Sequence, residues 1–241
     1  MKNNLLALLL TISIFGNAQY YYKDLLGTAE TNSQLKLYVA NKVRSVSLRS
    51  FDADGTQSNG FLVQQYLDNT NKVLKTTTKS GVTEESELNS WFDENARVIK
   101  TTDTSGSSIN TAIYSYDNQG RLSSIKSFSG DTSRKGSEAE DHQWFYNDKG
   151  QPTQMLRIIN ITDTTVFKFT IDDKGNISQE TIYKKGKAGD PVYYYYNDRK
   201  QLTDIVRYNY KLKKLLPDYM FEYSDANQVI QKITVPSNKA S

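Results

Sequence analysis

"YSYDNQGRLSSI", residues 114–125, places two tyrosines two apart, then an Asp, a Gly three residues on, and an aliphatic tail. Such a phrase is a strand, a tight turn and a returning strand. Asp accepts bonds from backbone N–H groups just ahead of it and starts the turn, while Gly takes the left-handed conformation that ends it.

The phrase recurs with different letters: "QYLDNTNKV" (65–73), "SWFDENARV" (90–98), "WFYNDKGQP" (144–152), "FTIDDKGNI" (169–177), "YYYNDRKQL" (194–202) and "FEYSDANQV" (221–229). Counting the column of Gly120, its seven members are residues 71, 96, 120, 150, 175, 200 and 227, a step of 24 to 30 residues. A period in that range marks a repeat architecture. The turn-starting column is Asp68, Asp93, Asp117, Asn147, Asp172, Asn197 and Ser224, all side chains able to accept the turn's N–H bonds. The closing column is Asn71, Ala96, Gly120, Gly150, Gly175, Lys200 and Asn227. Ala96 and Lys200 depart from it, and a left-handed residue with a Cβ costs about 1–2 kcal/mol. Those two turns are therefore expected to distort or shift, with Asn95 able to take the special position in the first.

Period-two alternation of Tyr, Phe, Trp, Thr, Val and Ile flanks each turn, as strands require. The expected fold is all-β, an antiparallel meander of about seven to eight hairpins forming a twisted or rolled sheet, with a small N-terminal cap. A further strand pair is expected at 42–51 and 61–66. The cap, residues 19–41, is expected to hold a short helix around 33–42. Residues 42–241 read as one repeat domain, with repeats over about 65–233.

Strict alternation assigns one face to Leu67, Phe92, Tyr114, Tyr116, Trp144, Tyr146, Phe169, Ile171, Tyr194, Tyr196, Phe221 and Tyr223. Val73, Val98, Leu122, Ile177, Leu202 and Val229 oppose them, and this face is the expected core. The second face then carries Tyr66, Trp91, Phe145 and Tyr195, with Leu74, Ile99, Ile125, Met155, Ile205 and Ile230. A half-solvated sheet would be polar there. Either the sheet folds back over this face or a partner covers it, and Tyr66, Trp91, Phe145 and Tyr195 are the candidate interaction surface.

The first eighteen residues have a basic start at Lys2, an apolar run from Leu5 to Phe15, and small residues Gly16 and Ala18. They read as a cleaved export signal. The chain has no cysteine, so no lipid-anchor or disulfide framework is expected. Net charge is +3 and falls to +2 without Lys2; the basic clusters "KKGK" (184–187) and "KLKK" (211–214) are short. They read as solvated loops, which argues against nucleic acid as a partner.

Chemistry is sparsely written. His142 is the sole histidine, in "SEAEDHQW", and with Glu138, Glu140 and Asp141 reads as a solvated acidic return loop rather than a metal site. "DADG" (52–55) and "DDKG" (172–175) lack the Glu that completes a calcium loop. No phosphate loop or nucleophile elbow is present, so no metal, cofactor or catalytic residue is expected.

The phrase at 114–125 resembles the YD repeat of the Rhs family, whose units read roughly Y-x-Y-D-x-x-G-R-L. The likeness extends over about 65–233, although the other copies lose Arg121 or Gly120. The repeat turn residues are Asp117, Gly120, Asn147, Gly150, Asp172 and Gly175. In that family consecutive hairpins build a long sheet coiled as a shell around cargo; this chain is too short for that. It is similar to small exported proteins of Bacteroidetes. The resemblance implies a non-enzymatic periplasmic interaction protein, with secretion or surface display as alternatives. The expected partner is another envelope component such as the periplasmic side of an outer-membrane β-barrel translocon or transporter, with no direct membrane anchor. A glycan-binding module using Trp91, Trp144 or "VYYYY" (192–196) is the alternative, and a hydrolase a weaker one.

Overall fold

The computed structural model describes residues 19–52, 54–79, 85–131 and 138–235. The expected export signal lies outside the described residues. The chain divides into two compact units.

The N-terminal unit comprises Tyr21–Gln143 and Arg157–Asp163. It opens with a wide helical turn, Tyr21–Leu26, that runs into α1, Gly27–Ala40. Strands follow at β1 Ser45–Leu48, β2 Leu62–Asp68, β3 Val73–Lys79, β4 Ser86–Phe92, β5 Val98–Ser105, β6 Ser108–Tyr116 and β7 Leu122–Asp131. β8, Glu138–Tyr146, continues the ladder, each strand pairing with the next in antiparallel fashion. The C-terminal unit comprises the described residues of Met1–Tyr20, Trp144–Leu156 and Thr164–Ser241. The remaining strands are β9 Pro152–Ile159, β10 Asp163–Ile171, β11 Ile177–Lys184, β12 Lys187–Ala188, β13 Val192–Tyr196, β14 Leu202–Asn209, β15 Lys214–Tyr223 and β16 Val229–Thr234. Strand order follows chain order, β12 pairing only with β11, and among the described residues β16 does not pair with β1. The all-β meander is therefore as the repeat implies.

The helix is longer than expected, covering Tyr21–Ala40 rather than the stretch around 33–42. Its first half has no apolar stripe to betray it; tertiary contacts hold it instead. Leu35 and Tyr38, one turn apart, are buried against Leu67, Leu74, Phe92 and Val98 of the sheet. Tyr38 donates its hydroxyl to Gln65 Oε1 at 2.8 Å.

Six of the seven turns have one geometry. Asp117 is representative: its carbonyl accepts Gly120 N–H at 2.9 Å, and its own N–H donates to Arg121 carbonyl at 2.8 Å. Asp117 Oδ1 accepts the N–H groups of Gln119 and Arg121, while Arg121 Nε donates to Oδ2 at 2.7 Å. Gly120, Gly150 and Gly175 have φ of 78°, 77° and 86°. Ala96 (φ 55°) and Lys200 (φ 60°) adopt the same conformation with the same backbone bonds, neither distorted nor shifted to Asn95. The turn's bond set outweighs the Cβ penalty. The first turn is the one that differs. There Lys72 (φ 52°), not Asn71, is left-handed, and Asp68 pairs directly with Val73.

Register corrects the face assignment. After the turn, Tyr116 pairs with Leu122 but Ser115 with Ser124, so Ser123 is a bulge. Leu122 and Ile125 therefore both lie on the Tyr114 face. The same slip makes Ile99, Thr203 and Ile230 the extra residues of their strands. Ile125 and Ile205 consequently pair with Tyr114 and Tyr194 in the core, and Leu74 opposite Leu67 joins them. Met155 is also fully buried. Val73, by contrast, moves to the face opposite the core because its hairpin lacks the bulge.

Bulging also explains the second tyrosine of the phrase. β5 pairs with β6 only from Lys100↔Ile113 onward, leaving the carbonyl of Val98 beyond the ladder. Tyr116 donates its hydroxyl to that carbonyl at 2.8 Å. Tyr196 serves Ile177 (2.9 Å) and Tyr223 serves Leu202 (2.8 Å) in the same way. A Tyr at this column thus satisfies the backbone group stranded by the preceding repeat's bulge.

Candidate interaction surface and buried ion-pair cluster

The four candidate surface aromatics occupy the face opposite the core, two in each unit. In the N-terminal unit Tyr66 is 59% exposed, while Trp91 is half-buried with Lys100 Nζ 4.8 Å above its ring. Their face is mixed: Lys75, Asn89 and Thr102 stand in cross-strand register beside Tyr66, while Val73 and, through Lys100, Ile113 flank Trp91. In the C-terminal unit Phe145 and Tyr195 are 44% and 46% exposed. A groove of about 530 Å³ runs beside Tyr195, lined also by Tyr193, Gln179, Ser178, Asn176 and Asp173. Tyrosine rings and hydrogen-bonding side chains both line it. Trp144 is not part of any such surface: it is buried and stacks on Phe169 with centroids 5.2 Å apart. Within "VYYYY", Val192 and Tyr194 are core and Tyr195 alone is exposed.

His142 is placed differently from the expectation. It lies in β8, not in a solvated loop, and it is buried. Its Nδ1 is 2.7 Å from Asp24 Oδ2 and its Nε2 is 2.5 Å from Glu140 Oε1. Arg157 Nη2 donates to the other Glu140 oxygen at 2.6 Å. Burial alone would lower the His142 pKa, but the charge and hydrogen bond of Asp24, then those of Glu140, raise it to about 9. Glu140 loses solvation too, yet the bonds from His142 and Arg157 pull its pKa down to about 2. Tyr114 is pushed up to about 12 chiefly by burial. An imidazolium between two carboxylates ties the helical turn at Asp24 to β8 and acts as a clamp. Glu138's side chain lies outside the described residues, and among the described residues no group of three metal-ligating side chains is present.

Sequence reasoning missed Asp24, Asn32 and Glu180. Asn32 Oδ1 accepts the N–H of Val98 at 2.8 Å, and its amide donates to Tyr116 Oη at 3.3 Å. Glu180 is fully buried, accepting the Tyr194 hydroxyl at 2.7 Å and the Tyr20 N–H at 3.1 Å. A signal existed for part of the clamp: Glu140 and His142 are two apart, hence on one face once the segment is read as a strand. Nothing local marks Asp24 or Asn32, whose partners are 118 and 66 residues distant.

Among solved structures, two crystal structures of TcdB2-TccC3 are similar, one described as TcdB2-TccC3-TEV and one as lacking the hypervariable C-terminal region. Each aligns at 15% identity and a TM-score of 0.35, covering 76% of this chain and 9% of the other. The chain thus spans about a tenth of the length of those structures. Comparison with curated proteins finds no match. Residues 92–132, which hold the Asp93 and Asp117 turns, match the RHS Repeat family.

Proposed function

We propose that the chain is a non-enzymatic interaction protein of the periplasm, docking on another envelope component through the solvent face of its repeat sheet. One observation carries this reading. Tyr66, Phe145 and Tyr195 stay exposed on that face while their chain neighbours Leu67, Trp144 and Tyr194 are buried in the core. Exposed aromatic side chains, two of them with a hydroxyl tip, suit recognition of a protein surface. The export-signal reading of the first eighteen residues supports the compartment, and the RHS Repeat match supports a structural rather than catalytic role.

The test is affinity capture from envelope extracts with the wild-type chain and with Tyr66→Glu/Phe145→Glu/Tyr195→Glu. A defined partner, an outer-membrane barrel above all, retained by the first and lost by the second is the expected result. Equal capture by both would reject the face. Glycan binding is the second reading, favoured by the Tyr193–Tyr195 groove and its hydrogen-bonding rim; oligosaccharide binding lost in Tyr195→Ala would select it.

A further inference from the structure

The two short basic clusters of the sequence meet in the C-terminal unit. Both are hairpin tips at the edge opposite the Asp–Gly turns. One is the turn joining β11 to β12, where Lys184 pairs with Lys187 around Lys185 and Gly186. The other joins β14 to β15, where Asn209 pairs with Lys214. The Tyr210 hydroxyl bonds to the Asp190 carboxylate, so the two tips are adjacent. Six exposed lysines thereby share one edge: Lys184, Lys185, Lys187, Lys211, Lys213 and Lys214. Asp190 is the only acid in either tip segment, 184–190 or 208–216. None of the ion pairs among the described residues involves one of the six.

Charge is half of the pattern. Between the lysines stand apolar side chains with no core to enter. Leu212 is 56% and Tyr210 64% exposed, and Tyr208 and Leu215, cross-strand partners, are exposed as well. Tyr208 and Tyr210 meet edge to face at 5.0 Å, a small aromatic wall beside Leu212 at the tip. The tip is held in shape: Asn209 Oδ1 accepts the Leu212 N–H at 2.9 Å, and Lys213 takes φ 50°. A merely solvated loop would have no reason to keep a leucine, two tyrosines and a second leucine at its crest. A simple polyanion site would have no use for them either.

We propose that this edge seats on an anionic lipid bilayer surface. Leu212 and Tyr210 enter the headgroup boundary, and the lysines reach outward to lipid phosphates with their stems along the apolar crest. Attraction to an anionic surface acts within about a Debye length, roughly 10 Å at 0.1 M salt, so contact is reversible and salt-sensitive. It is a peripheral contact and uses neither Tyr66, Phe145 and Tyr195 nor the groove.

The test is co-sedimentation of the full chain with vesicles of phosphatidylglycerol and phosphatidylcholine in equal parts, and with pure phosphatidylcholine. Binding to the first alone, weakening with added salt, is expected. Lys211→Gln/Lys213→Gln/Lys214→Gln should lower partitioning roughly a hundredfold, three surface charges being removed. Leu212→Ser should lower it roughly tenfold with the charge intact. Lys184→Gln/Lys185→Gln/Lys187→Gln, on the other tip, repeats the charge test if the first variant melts early. No preference for the anionic vesicles would overturn the proposal. So would Leu212→Ser binding like wild type while the lysine variants fail, because that pattern belongs to a bare polyanion site.

Discussion

At the scale of single residues, the turn column shows how far a bond set can force a conformation. Gly120 has φ 78°, and a Cβ there would meet Arg97 Nη1 at 3.2 Å. Gly120→Val should therefore lose about 1–3 kcal/mol in urea denaturation, because a β-branched residue is forced into left-handed backbone. Lys200→Gly, at φ 60°, removes that strain and should leave stability unchanged or raise it by up to about 1 kcal/mol, the gain being offset by the freer unfolded chain. The histidine behaves in the opposite way to what its acidic neighbourhood suggests on paper. His142→Ala removes the cation between buried Asp24 and half-buried Glu140, which keeps Arg157, and should cost about 3–5 kcal/mol. Because folding raises the His142 pKa to about 9, its contribution is complete below the ordinary histidine value and is lost as pH rises through about 9. Glu140 works in the other sense: its contribution is present above the usual carboxylate range and lost as pH falls through about 2. Melts of wild type and His142→Ala should therefore differ most in mildly acidic solution, below about pH 6.5, and converge as pH rises above about 9.

Elements bring out what the sequence could and could not disclose. Seven turns and the alternation before each were legible, since Asp93, Asp117 and Asp172 spell local bonds within four residues. The faces after each turn were not, because Ser123 and its counterparts slip the register by one without any mark of their own. Strict alternation puts Ile125 and Ile205 on the second face, although both are in the core beside Tyr114 and Tyr194. The helical segment Tyr21–Ala40 is half legible: the Leu35–Tyr38 spacing announces its second part, whereas the part before it is fixed by Asp24 and Asn32 bonding to His142 and Val98 of the sheet. That contact makes a prediction. Asn32→Ala leaves the Val98 N–H without its acceptor and should cost about 1–3 kcal/mol, with faster hydrogen exchange at Val98. Exchange at Val98 no faster than in wild type would show that the helix does not seal the sheet there.

For the whole molecule, a single asymmetry recurs along the described strands: one face of the sheet is core, and the other meets solvent. The repeat places the two faces side by side in the chain, so neighbouring residues report on them separately. Leu67, Trp144 and Tyr194 are buried beside Tyr66, Phe145 and Tyr195. Thermal melts of the six single Glu variants compare the faces directly. Leu67→Glu, Trp144→Glu and Tyr194→Glu should lose several kcal/mol or fail to fold, since each buries a charge with no partner. Tyr66→Glu, Phe145→Glu and Tyr195→Glu should stay within about 0.5 kcal/mol of wild type. Equal destabilisation across each neighbouring pair would contradict the account, because the second face would then be a core layer and not a surface.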